Sequence, residues 1–248
     1  MRAYLDNNIL VSLEDGDFSL TELHSIFPVT NIQFYYSPAH IFEVESFSGN
    51  ARISREDLLN KRFSTISDIT KNNYLFLDLE NNVCAKIEDP RNVLETITEV
   101  GFGISAIKGF VNIVPANEKK SIRDQLGIDS SRLNNYSSTE IIGHLNKKLT
   151  IFNNLSFHEI IEYAVKLHPS GASFGVHNRF AGIFEFLDLL GYWKDSETER
   201  SNYARLWDSL HAFYGSYCNF FVSNDRNTRN KAKVVYDIYN VNTEIISI

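Results

Sequence analysis

Several carboxylates in this chain are placed where they could hold a divalent cation. Asp6 closes the short apolar run Ala3, Tyr4, Leu5, and Asn7 and Asn8 follow it. Asp225 closes a second run, Phe220, Phe221, Val222, with Ser223 and Asn224 between. Asp208 lies inside a helical pattern, with His211, Ala212 and Gly215 at i+3, i+4 and i+7 on one face. Glu43 and Glu45 follow the run Ile32 to Tyr36. Mg²⁺ and Mn²⁺ prefer such oxygen ligands, a few carboxylates completed by water. Carboxylates meeting at one point repel one another without a metal. A bound cation there could activate water against a phosphodiester.

Each residue also has an ordinary reading. Asp6 could cap a turn, as Asn7 and Asn8 do. Asp225 could be an N-cap favoured by the helix dipole. Asp208 and His211 could lie on a solvated helix face. Glu43 and Glu45 are two apart and point to different sides of a helix, so at most one faces a common site. His40, His158, His168 and His177 have no metal-ligand spacing, and there is no G-x-S-x-G, Walker A or G-x-G-x-x-G. The Gly101 and Gly103 pair alone carries no phosphate-loop signal. Cys84 and Cys218 fit no metal finger, and Cys218 reads as a small buried residue.

The elements that must position these groups are legible at both ends. Residues 3–5 and 32–36 read as buried strands. Ser37 and Pro38 read as the cap and first turn of a helix running to about Phe47. Ser54 with Asp57, Ser137 with Glu140 and Ser156 with Glu159 mark helix starts. Pro90 to Val100 and Ala172 to Leu190 read as further helices, and Tyr74 to Leu79 as a strand. Thr198 to Tyr217 is helical, 220–222 a strand, Arg226 to Tyr239 a helix with the stripe Ala232, Val235, Tyr236, Tyr239, and Val241 to Ile246 a last strand. Strand–helix–strand units at both ends predict a parallel sheet covered by helices, with function beyond the carboxyl ends of its strands. Asp6 and Asp225 fall there.

The chain has 248 residues, 43% hydrophobic and 22% charged, enough for one large or two small globular domains. No leader pattern opens it, and no run approaches the roughly 18 apolar residues of a membrane helix. A reduced cytoplasmic protein is the simplest expectation. The net charge of −7 disfavours non-specific grip on long nucleic acid. Yet Arg226, Arg229, Lys231 and Lys233 put four positive charges in eight residues.

The end segments resemble the PIN-like nuclease family. The opening Tyr4, Leu5, Asp6, Asn7, Asn8 resembles its first strand, and the block from Asp208 to Asp225 resembles its late aspartate-bearing helix and the strand ending in Ser-x-Asp. Ser37, Pro38 and Glu43 resemble its second-helix motif, which selects Glu43 over Glu45. Asn219 stands where many relatives carry an acidic residue. The resemblance covers about 1–48 and 203–248. It implies a single PIN-like domain over 1–248, a three-layer α/β/α sandwich with a central parallel sheet, enlarged by a helical insertion within about 50–200. It implies Mg²⁺ or Mn²⁺ held by Asp6, Asp208, Asp225 and Glu43, with Asn7, Ser223 and His211 around them, and phosphate contacts from Arg226, Arg229 and Lys231. It further implies an endoribonuclease, as in toxins and defence effectors with a neutralising protein partner. A DNA-directed nuclease and a non-catalytic scaffold are the alternatives. The apolar helical middle would suit a homodimer interface, or its own core.

Overall fold

The computed structural model describes residues 1–46, 54–99, 116–149, 155–167, 176–196 and 199–248. The chain divides into two compact units: residues 1–107, 213–225 and 243–248, and residues 108–212 and 226–242. The resemblance implies one domain with an insertion within about residues 50–200. The division falls later, because the elements between residues 55 and 99 pack onto the first unit.

The first unit carries β1 (Arg2–Leu5), α1 (Asn7–Asp15), α2 (Leu20–Ser25), β2 (Gln33–Tyr35), α3 (Pro38–Glu45), α4 (Arg55–Thr70), β3 (Asn73–Leu77), β4 (Val83–Ile87), α5 (Pro90–Glu99), β5 (Phe220–Val222) and β6 (Glu244–Ile246). Four strands form one parallel sheet in the order β2-β1-β5-β6. Its register sets Tyr4 beside Tyr35 and Phe221, and Leu5 beside Val222. β3 and β4 form an antiparallel hairpin. It meets the edge of β2 through the single bridge between Tyr36 and Tyr74.

Side chains alternate across the strands. Ala3, Leu5, Phe34, Phe220 and Val222 enter one core with Ile9, Leu10, Leu23, Ile41, Phe63 and Ile66. Tyr4 and Phe221 face the other way, with ring centroids 6.1 Å apart, and Tyr214 stacks on Tyr4 at 6.5 Å. Both faces are covered, which is why these strands read as continuous apolar runs. Gly215 sits over the Phe221 ring so closely that a Cβ there would lie 2.9 Å from it.

Helix starts follow their caps. Ser37 accepts a hydrogen bond from the Ala39 N–H, and Pro38 occupies the first turn. Ser54 caps α4 through the Asp57 N–H. One element escaped the pattern. The expected strand to Leu79 stops at Leu77, because the Asp78 carboxylate accepts the N–H groups of Glu80 and Asn82 and folds a turn. β4 follows that turn.

The second unit is helical among the described residues. It holds α6 (Ala116–Gln125), α7 (Ser130–Leu133), α8 (Ser138–Lys148), α9 (Phe157–Leu167), α10 (Val176–Leu190), most of α11 (Glu199–Gly215) and α12 (Arg226–Tyr239). Ser137 with Glu140 forms the expected capping box of α8. Ser156 and Glu159 make the same reciprocal bonds before α9. Buried Ile141, Leu145, Phe180, Ile183, Phe184, Leu187, Val235 and Tyr236 form apolar faces of α8, α10 and α12. The expected starts of two elements, and the Gly101 and Gly103 pair, lie outside the described residues. No helix among the described residues is long and apolar enough to cross a membrane.

Candidate functional site

The carboxyl ends of β1 and β5 are adjacent, and there the strand order changes direction. From β1 the chain steps outward to β2 on one side, whereas β5 lies on the other. In open parallel sheets that switch point leaves a crevice beyond the strand ends, where ligands bind. Asp6 follows β1 and is 3% exposed. Its N–H donates to the Val222 carbonyl at 2.8 Å, which pins it to the end of β5.

A compact polar relay surrounds the Asp6 carboxylate. Ser223 Oγ donates to Asp6 Oδ2 at 2.6 Å, and Asn8 Nδ2 donates to the same oxygen at 2.7 Å. Ser223 Oγ accepts from Asn8 Nδ2 at 3.3 Å and from the Asp225 N–H at 3.1 Å. The single hydroxyl proton and both lone pairs of Ser223 are thereby engaged. Its N–H donates to the Ile246 carbonyl at 3.1 Å, so β6 also fixes this residue. The Asn224 N–H closes the ring on Asn8 Oδ1 at 3.1 Å. Asp225 itself is exposed, directly before α12. One buried, oriented carboxylate and one exposed carboxylate therefore stand on neighbouring strand ends.

Ser223, expected beside the carboxylates, donates to Asp6 Oδ2. Asn7, which the resemblance sets beside the carboxylates, has another partner. The side chain on Asp6 is that of Asn8, and Asn7 Oδ1 accepts from Arg62 Nη1 at 3.3 Å. The reason is local: Asp6 is the N-cap of α1, so Asn7 and Asn8 are its first two residues and point about 100° apart. Arg62 is held by Glu14, with Nε 2.9 Å from Oε2.

Glu43 lies half-buried on α3, three residues after His40 and hence on the same helix face. His40 is fully buried and its Nδ1 accepts from the Ser37 N–H at 3.1 Å. That assigns the proton to Nε2, which donates to the Leu5 carbonyl at 2.8 Å. This face of α3 is therefore the one tied to the end of β1, the residue before Asp6. Glu45 does not share it. Neither Asn8 nor His40 stood out in the sequence. The only signal for His40 is its place at the third position of a capped helix, where it completes the capping box.

Tyr4 lies behind the relay, its hydroxyl 2.6 Å from Ser37 Oγ. Burial, only partly offset by that hydrogen bond and added to by the nearby Asp6 charge, holds the Tyr4 phenol well above its ordinary pKa. It is neutral at any physiological pH. Asn219 is at the far end of β5, where its Oδ1 accepts the Arg2 N–H at 2.9 Å. An acidic residue at position 219 would therefore stand at the opposite end of the strands from Asp6.

Asp208 and His211 lie on the part of α11 that belongs to the second unit, Asp208 half-buried and His211 fully buried. Arg226, Arg229 and Lys231 begin α12 in the same unit. Arg226 is exposed and its guanidinium stacks 4.3 Å from the Trp193 ring centre. Arg229 is half-buried. Lys231 corrects the expectation of a phosphate contact. It is 1% exposed, with Nζ 2.7 Å from Asp195 and 3.4 Å from Asp188. Burial tends to raise the Asp188 carboxyl, but Lys231 and Arg205, aided by the Asp195 N–H and Lys119, hold it below the usual carboxylate range.

Among the described residues no group of three or more His, Cys, Asp or Glu side chains is arranged to hold a metal. The relay offers hard oxygen donors, the Asp6 and Asp225 carboxylates. One or two carboxylates completed by water and substrate oxygens is an ordinary Mg²⁺ donor set. The chemistry of these donors fits a hard divalent cation. No family model, curated protein or solved structure matches the chain. The PIN-like resemblance thus rests on the residues themselves.

Proposed function

We propose that this protein is a metal-dependent nuclease that hydrolyses RNA phosphodiester bonds at the ends of β1 and β5. One observation carries the reading: a buried aspartate, oriented by a fully engaged serine, beside an exposed aspartate at the switch point of a parallel sheet. Asp6 and Asp225 would hold Mg²⁺ or Mn²⁺. Glu43 is included because its helix face is tied to the end of β1. When bound, such an ion supplies Lewis acidity and lowers the pKa of water.

The chain's own groups do the rest. Ser223 and Asn8 hold Asp6 Oδ2 through two donated hydrogen bonds, which fixes the rotamer of the carboxylate. Asp225 is open to solvent and would meet the substrate there. RNA as the substrate comes from the resemblance, and DNA is the competing outcome.

The test is digestion of labelled RNA and DNA side by side with Mn²⁺. Cleavage of RNA is expected, with loss of cleavage in Asp6→Asn and in Asp225→Asn at unchanged melting temperature. Ser223→Ala should lower the rate about 10–100-fold, as loss of an orienting partner does. Full activity in Asp6→Asn overturns the reading. Cleavage of DNA alone overturns the substrate and keeps the site.

A further inference from the structure

The hairpin of the first unit ends in a strand whose outer side meets no other strand among the described residues. β3 faces β2 on one side: the Tyr36 N–H donates to the Asn73 carbonyl at 3.0 Å and the Leu75 N–H to the Tyr36 carbonyl at 2.8 Å. On its other side β3 pairs with β4, Tyr74 opposite Lys86 and Phe76 opposite Cys84. Among the described residues β4 is thus the edge.

The ladder fixes which backbone groups face outward. The Glu88 N–H donates to the Asn72 carbonyl and the Asp78 N–H to the Asn82 carbonyl. Bonded and unbonded pairs alternate in an antiparallel ladder. Lys86 and Cys84 therefore bond to β3. Val83, Ala85 and Ile87 turn their N–H and C=O groups away from it.

Edge strands are usually guarded by proline, a bulge or a projecting charge. β4 has no proline and pairs residue for residue with β3. Its one charge, the exposed Lys86, folds back along the strand, with Nζ 3.0 Å from Glu88 and 5.2 Å from the Phe76 ring centre, and so constrains the register of any added strand without closing the edge. Ala85 and Ile87 are exposed, Ile87 to 69%.

We propose that β4 is a self-association edge, which a second copy of this chain joins through its own β4. The two strands would run antiparallel about a two-fold axis at Ala85. Val83 of one copy then stands opposite Ile87 of the other, and Ala85 opposite Ala85. This register engages all three outward residues on both strands. Sliding it so that Ala85 meets Ile87 sets Lys86 directly against Lys86, which like-charge repulsion disfavours. Sliding it the other way, Ala85 against Val83, leaves Ile87 unpaired. The chosen register places Lys86 opposite Cys84, with no like charge facing it. The contact is isologous and closes as a dimer. With only five residues of β4 on each side, the contact is expected to be weak and reversible.

Sedimentation of the full chain from roughly 1 µM to 1 mM tests this, a range spanning weak dimer affinities. The dimer fraction should rise with concentration. Ala85→Pro deletes an outward N–H that β3 does not use, and should weaken association at least tenfold. Ile87→Lys changes an exposed side chain, keeps the fold and should do the same; its melting curve controls for folding. Ala85→Cys in a Cys84→Ser background should cross-link under diamide, which accepts the two electrons and protons of the thiol pair. Opposed Cα atoms of a bonded pair are about 5.5 Å apart, within disulfide reach. A wild-type chain monomeric throughout, or a dimer indifferent to both Ala85→Pro and Ile87→Lys, overturns the proposal.

Discussion

Replacing Lys231 by Met separates a structural role from a phosphate-binding one. The ammonium is 1% exposed and neutralises two aspartates, Asp195 at 2.7 Å and Asp188 at 3.4 Å. Both carboxylates are largely buried, with side chains 16% (Asp195) and 6% (Asp188) exposed. Breaking a buried pair by removing one partner costs about 3–5 kcal/mol. Asp188 keeps Arg205 at 3.2 Å and Lys119 at 3.4 Å, and Asp195 keeps Asn227 at 2.8 Å. The loss should thus fall near the lower bound, about 3 kcal/mol. For a chain of this size that is a drop of roughly 6–12 °C in Tm. The assay is thermal unfolding followed by circular dichroism. Adding Asp195→Asn to Lys231→Met should restore part of the loss, because Asp188 and Asp195 then no longer share the one Arg205 guanidinium as two charges, at 3.2 and 3.6 Å. A Tm change below about 2 °C, with weakened RNA binding, would refute the reasoning and return Lys231 to the phosphate contacts.

Acid should loosen the same network. Asp188 titrates below its unfolded value of about 3.9, so its stabilisation is complete above that pH and is lost as pH falls through the lower folded value. Unfolding between about pH 4 and 2 should begin at higher pH in Lys231→Met, as read by circular dichroism. Gly215→Ala should destabilise the first unit by about 1–3 kcal/mol in urea titrations, because its methyl would meet the Phe221 ring at 2.9 Å.

Much of the fold was legible where local chemistry and tertiary packing agree. The capping serines at 37, 54 and 137 start helices as their spacing says. The apolar runs at 3–5 and 220–222 are strands because both faces of the sheet are covered. The hairpin was hidden because Val83 to Ile87 is mostly exposed and lacks an apolar stripe. The division into two units was hidden because α12 continues the strand–helix–strand pattern while packing in the helical unit. At the site, Asp6, Ser223 and Asp225 were readable as strand-end polar residues. Asn8 was not, since which of two adjacent asparagines turns to Asp6 depends on where α1 begins. Lys231 looked like surface charge in a basic run. Its partners Asp188 and Asp195 are more than thirty residues away, and sequence spacing carries no trace of that pairing.

The most direct test is a crystal of the full chain soaked in Mn²⁺ and measured at the manganese edge. The account predicts an anomalous peak within ligand distance of the Asp6 and Asp225 carboxylates, absent in Asp6→Asn. A well-soaked crystal with no peak beyond the ends of β1 and β5, or the same peak in Asp6→Asn, would contradict it.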